Sequence, residues 1–146
     1  MKWFALGCRL VLAAVFIGAA VPKILHPHDF ALAVFRYQML PYPLVNLAAL
    51  ALPWIELLSG LALLLGSRLR AAAAAIILGL LLVFTTAIAI NLARGVSIAC
   101  GCFSVDPAAE KMSSWNLARN ATLILMAAWT WRRAARAGWR GVTAPG

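Results

Sequence analysis

The sequence predicts an all-α protein, an integral membrane bundle of four helices. Of its 146 residues, 64% are hydrophobic and only 12% are charged, and the mean hydropathy is +0.91. Soluble domains are much less apolar. Apolar segments of about 20 residues, enough to cross a bilayer of about 30 Å, occur four times. Such segments form helices, because a spanning backbone must satisfy its own hydrogen bonds.

The four predicted spans, in a single domain over 1–137, cover residues 3–21, 44–65, 71–92 and 115–131. Helix breakers separate them. Pro22 is expected to end the first span, Gly66 to separate the second from the third, and Gly95 to end the third. Residues 138–146 are expected to be disordered. An alternative interpretation makes the first span a signal peptide, because small residues at 18–20 resemble a cleavage site.

A short amphipathic helix is predicted between the first two spans. Phe30, Val34 and Tyr37 recur there at helical spacing, and Asp29 is a suitable capping residue for the first turn. We expect this segment, 29–40, to lie in the outer interface of the membrane.

The basic residues predict the orientation. Eight of the 13 are assigned to one side of the membrane and five, spread over longer loops, to the other. Positive charge concentrates on the cytoplasmic side, so both termini are predicted to be cytoplasmic.

The net charge of +9 would suggest nucleic acid as a partner of a soluble chain. Here the charges flank apolar segments, so the predicted partner is the lipid bilayer and no nucleic acid is expected.

Cys100 and Cys102 follow the third span, in a loop assigned to the oxidising outer side. A disulfide closed over the single residue Gly101 is strained, therefore reducible, and removes little chain entropy. These properties favour redox exchange over a structural bond. A structural or incidental pair stays open, as does a soft-metal site that adds His26 and His28 of the other outer loop.

Glu56 is the only acidic residue within a predicted span. An ionisable group inside a membrane indicates function by default. Candidate partners are Lys23, Arg94 and Arg119, all assigned to the outer ends of other helices. Proton handling and a structural ion pair are both open interpretations.

Small residues, including Gly60 and Gly79, offer faces for close helix packing, and Asn91, Asn116 and Asn120 are expected to hydrogen-bond between helices. Cys8 is expected to pack as a small apolar residue.

Three segments, in order, carry a family resemblance: PKILHPHDFALAVFRYQMLP, LPWIELLSGLALLLG and NLARGVSIACGCF. They resemble the DoxX-like membrane proteins, in particular the branch of the methylamine-utilisation protein MauE. The resemblance covers about residues 9–119. Ser104 departs from the family pattern, which commonly has glycine after the phenylalanine.

The resemblance implies a protein of the bacterial inner membrane with several spans and the cysteine loop on the periplasmic side. It implies work with a periplasmic thioredoxin-like partner in forming or maintaining disulfides of exported proteins. Cys100 and Cys102 match the family's cysteine pair, and Lys23, Glu56 and Arg94 match its polar positions. A thiol-disulfide oxidoreductase, with a membrane quinone as candidate cofactor, is one hypothesis. A non-enzymatic subunit that assembles a redox or soft-metal-handling complex is the other.

Overall fold

The computed structural model describes residues 2–65, 69–95 and 114–142. This part of the chain contains five helices and no strand: α1 (Lys2–Leu25), α2 (Pro27–Arg36), α3 (Tyr42–Leu65), α4 (Arg70–Ala93) and α5 (Ser114–Val142). The prediction of an all-helical chain is confirmed for these residues.

Three of the described helices are long and apolar enough to cross a membrane, over Trp3–Leu25, Tyr42–Leu65 and Arg70–Ala93. They correspond to the first three predicted spans. The predicted fourth span lies within α5, which is longer than the others but less apolar, because Asn116, Arg119 and Asn120 interrupt its first half and four arginines follow Trp131. A multi-pass membrane protein is therefore supported, and the fourth crossing stays a prediction.

The helix boundaries around Pro22 and α2 differ from the predictions. α1 does not end at Pro22 but continues to Leu25, since a proline removes only one backbone donor and the amide of His26 still bonds the carbonyl of Pro22 at 2.9 Å. α2 begins at Pro27 and not at Asp29, because a proline is favoured in the first turn of a helix. It ends at Arg36, before Gln38 adopts a positive φ of 50°.

α5 continues past Trp131 to Val142 and enters the segment predicted to be disordered. Arginine and alanine dominate residues 132–137. Both are strong helix formers, so this segment is helical although it is too polar for a membrane core. Residues 143–146 lie outside the described part.

Four long helices share one apolar core. α1 packs mainly against α3, and α4 packs mainly against α5. The buried side chains come from all four helices, and they include Leu12, Phe16, Leu63, Ala74, Ile77, Leu123 and Ala127. Because consecutive long helices run in opposite directions, the starts of α1 and α4 and the end of α5 lie together. The ring contact of Phe4 with Trp129, 5.1 Å between centroids, joins α1 to α5 there. We call this the basic end.

The opposite end of the molecule contains α2, and we call it the α2 end. α2 packs on α3 with Phe30 buried beneath it. α4 reaches this end at Asn91, whose side chain lies 3.8 Å from the sulfur of Met39. α4 ends in a turn at Gly95, where φ is +69°, a conformation that glycine adopts at helix ends without strain.

Candidate functional site: a buried ion pair beside an apolar cavity

A buried ion pair joins α1 to α3. Lys23 Nζ donates to both carboxylate oxygens of Glu56, at 2.8 Å to Oε1 and 2.9 Å to Oε2. The side chains of Lys23 and Glu56 are 0% and 2% exposed. Of the three candidate partners for Glu56, the structure therefore selects Lys23. Arg94 is exposed at the end of α4, and Arg119 is half-buried on α5.

Helical periodicity places both charges in the interior. In α1, Lys23 follows Leu12, Phe16 and Ala20 on one buried stripe. In α3, Glu56 follows Ala49 and Pro53 on the stripe that continues to Leu63. These spacings of three or four residues were readable from the sequence. Lys23 lies in the last turn of α1, at the helix end to which the sequence assigned it, although Pro22 does not break the helix before it.

Two aromatic rings cover the ammonium group. Nζ lies 4.9 Å from the ring centroid of Phe30 in α2 and 5.3 Å from that of Phe84 in α4. Ring faces attract cations, and this attraction is stronger where water is excluded. Lys23 thus contacts side chains of three other helices, α2, α3 and α4.

The same two rings line a cavity of about 230 Å³ between α2, α3 and α4. Its walls are almost entirely apolar, and besides the rings they include Val34, Tyr37, Met39, Leu52, Val83 and Ala87. A cavity with such walls suits an apolar molecule, because the molecule would bury its apolar surface against them. The ammonium group of Lys23 lies against the same two rings, which stand between the ion pair and the cavity.

A second polar cluster lies between α4 and α5. Asn120 Nδ2 donates to Thr85 Oγ1 at 3.3 Å, which confirms the expected bond between helices for this residue. Asn91 Nδ2 donates to the carbonyl of Ala87 in its own helix, at 3.0 Å, and to the sulfur of Met39 in the connection between α2 and α3, at 3.8 Å, but to no other helix. Asn116 is fully buried, and neither polar atom of its amide has a hydrogen-bond partner. The expectation of bonds between helices therefore holds for one of the three asparagines.

The remaining predicted site residues are at the α2 end or outside the described residues. His26 and His28 are exposed, and their Nδ1 atoms lie 4.0 and 3.8 Å from the carboxylate of Asp29. Cys100 and Cys102 lie outside the described residues, so their redox and metal roles stay predictions. Within the described residues, no group of three potential metal ligands occurs. Cys8 is buried in α1, as expected of an apolar packing residue.

Comparison with known proteins identifies one family. The family model described as "Methylamine utilisation protein MauE" matches residues 1–133. Two curated relatives bear the name "Methylamine utilization protein MauE". The one from Methylophilus methylotrophus is 36% identical over 116 residues, covering 79% of this chain and 60% of the relative. The one from Methylorubrum extorquens is 39% identical over 121 residues, covering 82% and 63%.

A third relative with the same name, from Paracoccus denitrificans, is 38% identical over 96 residues, covering 65% of this chain and 51% of the relative. The chain thus spans between half and two thirds of the length of these relatives. No solved structure matches it. The predicted resemblance to MauE is confirmed, while the wider DoxX-like grouping stays a prediction.

Proposed function

The chain belongs to the MauE family, and we propose that it serves methylamine utilisation as a thiol-disulfide exchange component of the bacterial inner membrane. Its working pair is Cys100 and Cys102, on the periplasmic side. Its partner is a periplasmic thioredoxin-like protein, and the two act in forming or maintaining disulfides of exported proteins. In this proposal α5 provides the fourth span of a four-helix bundle with both termini in the cytoplasm.

The observation that carries the proposal is the Lys23–Glu56 pair, buried within helices of spanning length and adjacent to an apolar cavity. Isolated charges are costly in a membrane, and those that persist there commonly mark proton or substrate paths. Oxidation of two thiols releases two protons with two electrons. A buried acid and base near the α2 end suit a protein that handles those protons.

The exchange step conserves electrons. A thiolate of one protein attacks the disulfide of the other, and one sulfur leaves as a thiolate while a mixed disulfide forms. The second cysteine of the attacking pair then attacks the first cysteine's sulfur, and the other protein's sulfur leaves as a thiolate. One dithiol becomes a disulfide and one disulfide becomes a dithiol. Arg94, exposed where α4 ends and six residues before Cys100, favours the thiolate form of a nearby thiol.

A membrane quinone is the candidate acceptor when the pair itself must be reoxidised. Two electrons and two protons convert a quinone to a quinol. The apolar cavity beside Phe30 and Phe84 is the place where the described residues best suit such a molecule, since its walls are apolar and aromatic.

Single cysteine substitutions test the exchange. Cys100→Ser and Cys102→Ser are compared with Cys8→Ser, a matched control at a buried site in α1. One of the first two variants is expected to accumulate a mixed disulfide with a periplasmic protein, because the resolving thiol is missing. This adduct is visible on a non-reducing gel and disappears with dithiothreitol. Cys8→Ser is expected to form none.

Cell growth on methylamine provides the decisive readout. The double variant Cys100→Ser, Cys102→Ser is expected to abolish it. If that double variant supports full growth and neither single variant traps a partner, the exchange proposal is wrong. The alternative hypothesis, a non-enzymatic subunit that assembles a redox or soft-metal-handling complex, is then favoured. Elemental analysis of the purified protein, with and without His26→Ala, His28→Ala, tests the soft-metal version separately.

A further inference from the structure

The ammonium group of Lys23 has one donor more than Glu56 uses. An ammonium group carries three N–H donors. Nζ of Lys23 donates to both carboxylate oxygens of Glu56, at 2.8 and 2.9 Å, and it has no other oxygen acceptor among the described residues. Solvent does not reach it, since the side chain is 0% exposed. The third donor is left with the ring faces of Phe30 and Phe84, which accept hydrogen bonds more weakly than oxygen does.

The same two rings form the wall between this third donor and the apolar cavity. Nζ lies 4.9 and 5.3 Å from the ring centroids of Phe30 and Phe84. Both rings also line the cavity of about 230 Å³. Movement of one ring out of this wall would therefore bring the third donor into contact with the cavity.

Phe30 is the ring with the greater freedom to move. It is the buried residue of α2, a helix of only ten residues. Neither end of α2 continues as regular helix, because His26 has φ −125° and ψ 65°, and Gln38 has a positive φ of 50°. Phe84 instead lies within α4, a helix of 24 residues that packs along α5. A short helix with one buried anchor opens at a lower free energy than a long packed helix.

The charge of the ion pair restricts the ligand that this donor suits. Lys23 and Glu56 neutralise each other, so an anionic group at Nζ would add an unbalanced charge close to the carboxylate of Glu56. Unbalanced charges are costly where water is excluded. A neutral carbonyl oxygen accepts the third donor without changing the charge. The cavity walls, which are almost entirely apolar, suit the remainder of such a molecule.

We infer that Lys23 and the cavity form one binding site for a neutral apolar molecule with a carbonyl oxygen, and that Phe30 is its gate. When the ligand enters, the ring of Phe30 moves aside and the carbonyl oxygen takes its place at the third donor. The two bonds from Nζ to Glu56 remain. A charge-assisted hydrogen bond replaces a weaker contact with a ring face. The site rests on the proposed function, because the quinone named there is a molecule of this class.

Infrared spectroscopy of a bound quinone tests the hydrogen bond from Lys23. Decylubiquinone, isotope-labelled at its carbonyl carbons, is added to the purified full chain in a neutral detergent. A carbonyl band at lower frequency than in detergent alone is expected, because a hydrogen bond weakens the C=O bond. The double variant Lys23→Met, Glu56→Leu removes the donor and leaves no buried charge. It is expected to lose the shifted band and to bind the quinone about tenfold more weakly.

Ser59→Ala is the matched control for this measurement. Ser59 is buried in α3, one turn after Glu56, and its hydroxyl donates to the carbonyl of Ile55. The variant loses a buried polar group of the same helix but not the third donor. It is expected to keep the shifted band and the affinity of the wild type.

Association rates test the gate. Phe30→Leu keeps an apolar anchor under α2 but shortens the side chain. It is expected to speed the association of decylubiquinone severalfold, as followed by quenching of tryptophan fluorescence in a stopped-flow instrument. Phe35→Leu, on the exposed face of the same helix, is expected to leave the rate unchanged. Tm values of both variants show whether the fold is kept.

The outcomes decide each part separately. The hydrogen bond is contradicted if the quinone does not bind, or if its carbonyl band is the same in the wild type and in Lys23→Met, Glu56→Leu. Tighter binding of decanoate than of decylubiquinone would contradict a neutral ligand. Equal association rates for the wild type and Phe30→Leu would contradict the gate.

A cysteine variant distinguishes failure of this site from failure of the proposed function. The variant Cys100→Ser, Cys102→Ser is expected to keep the shifted band, because the hydrogen bond does not involve a thiol. If thiol exchange is disproved while the shifted band persists, the site at Lys23 stands. If exchange is observed but no shifted band occurs, the site at Lys23 is wrong and the exchange proposal is unaffected.

Discussion

At the scale of single residues, Lys23 and Glu56 form the buried ion pair that joins α1 to α3. Glu56 is identifiable from the sequence because it is the only acid in a predicted span. Its partner is not, since Lys23, Arg94 and Arg119 were equally available basic residues. Lys23 is the partner because α1 continues through Pro22 and the face of α1 that carries Lys23 packs against α3. Lys23 lies in the last turn of α1, at the helix end to which the sequence assigned it, and it still meets Glu56 in the middle of α3.

Substitution of one partner is expected to destabilise the protein strongly. Lys23→Met leaves the carboxylate of Glu56 buried without a counter-ion, and loss of one partner of a buried pair typically costs about 3–5 kcal/mol. The double variant Lys23→Met, Glu56→Leu is expected to recover most of that loss, because no charge remains buried. Unfolding in detergent, followed by circular dichroism, measures both effects.

The double variant also separates the two interpretations of the pair. If it is stable and still supports growth on methylamine, the pair is structural and the proton-handling part of the proposal is wrong. A variant that is stable but inactive supports proton handling. If Lys23→Met alone is as stable as the wild type, the buried ion pair itself is contradicted.

At the scale of elements, the contact between α1 and α3 depends on one glycine. A Cβ atom at Gly60 would lie 2.8 Å from Cγ1 of Ile17 and 3.3 Å from the carbonyl oxygen of Ala13. Such close approach of two helices requires a residue without a side chain. Gly79 has no such role, because a Cβ atom there would meet nothing within 4 Å. The sequence offers both glycines as packing residues, and only the pairing of the helices distinguishes them.

Alanine substitutions are expected to have opposite effects at these two glycines. Gly60→Ala forces Ile17 or the α1 backbone to move, at a cost typical of overpacking, about 1–3 kcal/mol. Gly79→Ala, the matched control within α4, is expected to be neutral or to stabilise the protein by up to about 1 kcal/mol through helix propensity. Unfolding in detergent measures the difference. Equal stability of the two variants would contradict the close contact of α1 with α3.

The arrangement of the whole molecule depends on α5. Ser114 and Ala137 are separated by 23 residues of this helix, or about 35 Å at 1.5 Å per residue. That length exceeds the thickness of a bilayer core, about 30 Å. α5 is polar for a spanning helix, but Asn116, Asn120 and Thr130 are buried among the other helices rather than exposed to lipid. We therefore expect α5 to cross the membrane.

Labelling of introduced cysteines tests this crossing in intact cells. Ser114→Cys and Ala137→Cys are made in a chain in which Cys8, Cys100 and Cys102 are replaced by serine. A maleimide that cannot cross the membrane is expected to label Ser114→Cys from outside, and Ala137→Cys only after permeabilisation. Arg36→Cys on α2 is the control for the outer side. Labelling of Ala137→Cys in intact cells, together with Ser114→Cys, would rule out the fourth span.

The sequence by itself determined the class of the protein, the first three spans and the family. Hydropathy over about 20 residues decides which segments enter a bilayer, and this property is local. The tertiary structure alone decided that Lys23 is the partner of Glu56 and that Gly60 rather than Gly79 is a point of close contact. Each of these depends on the register of one helix against another, which no local pattern specifies.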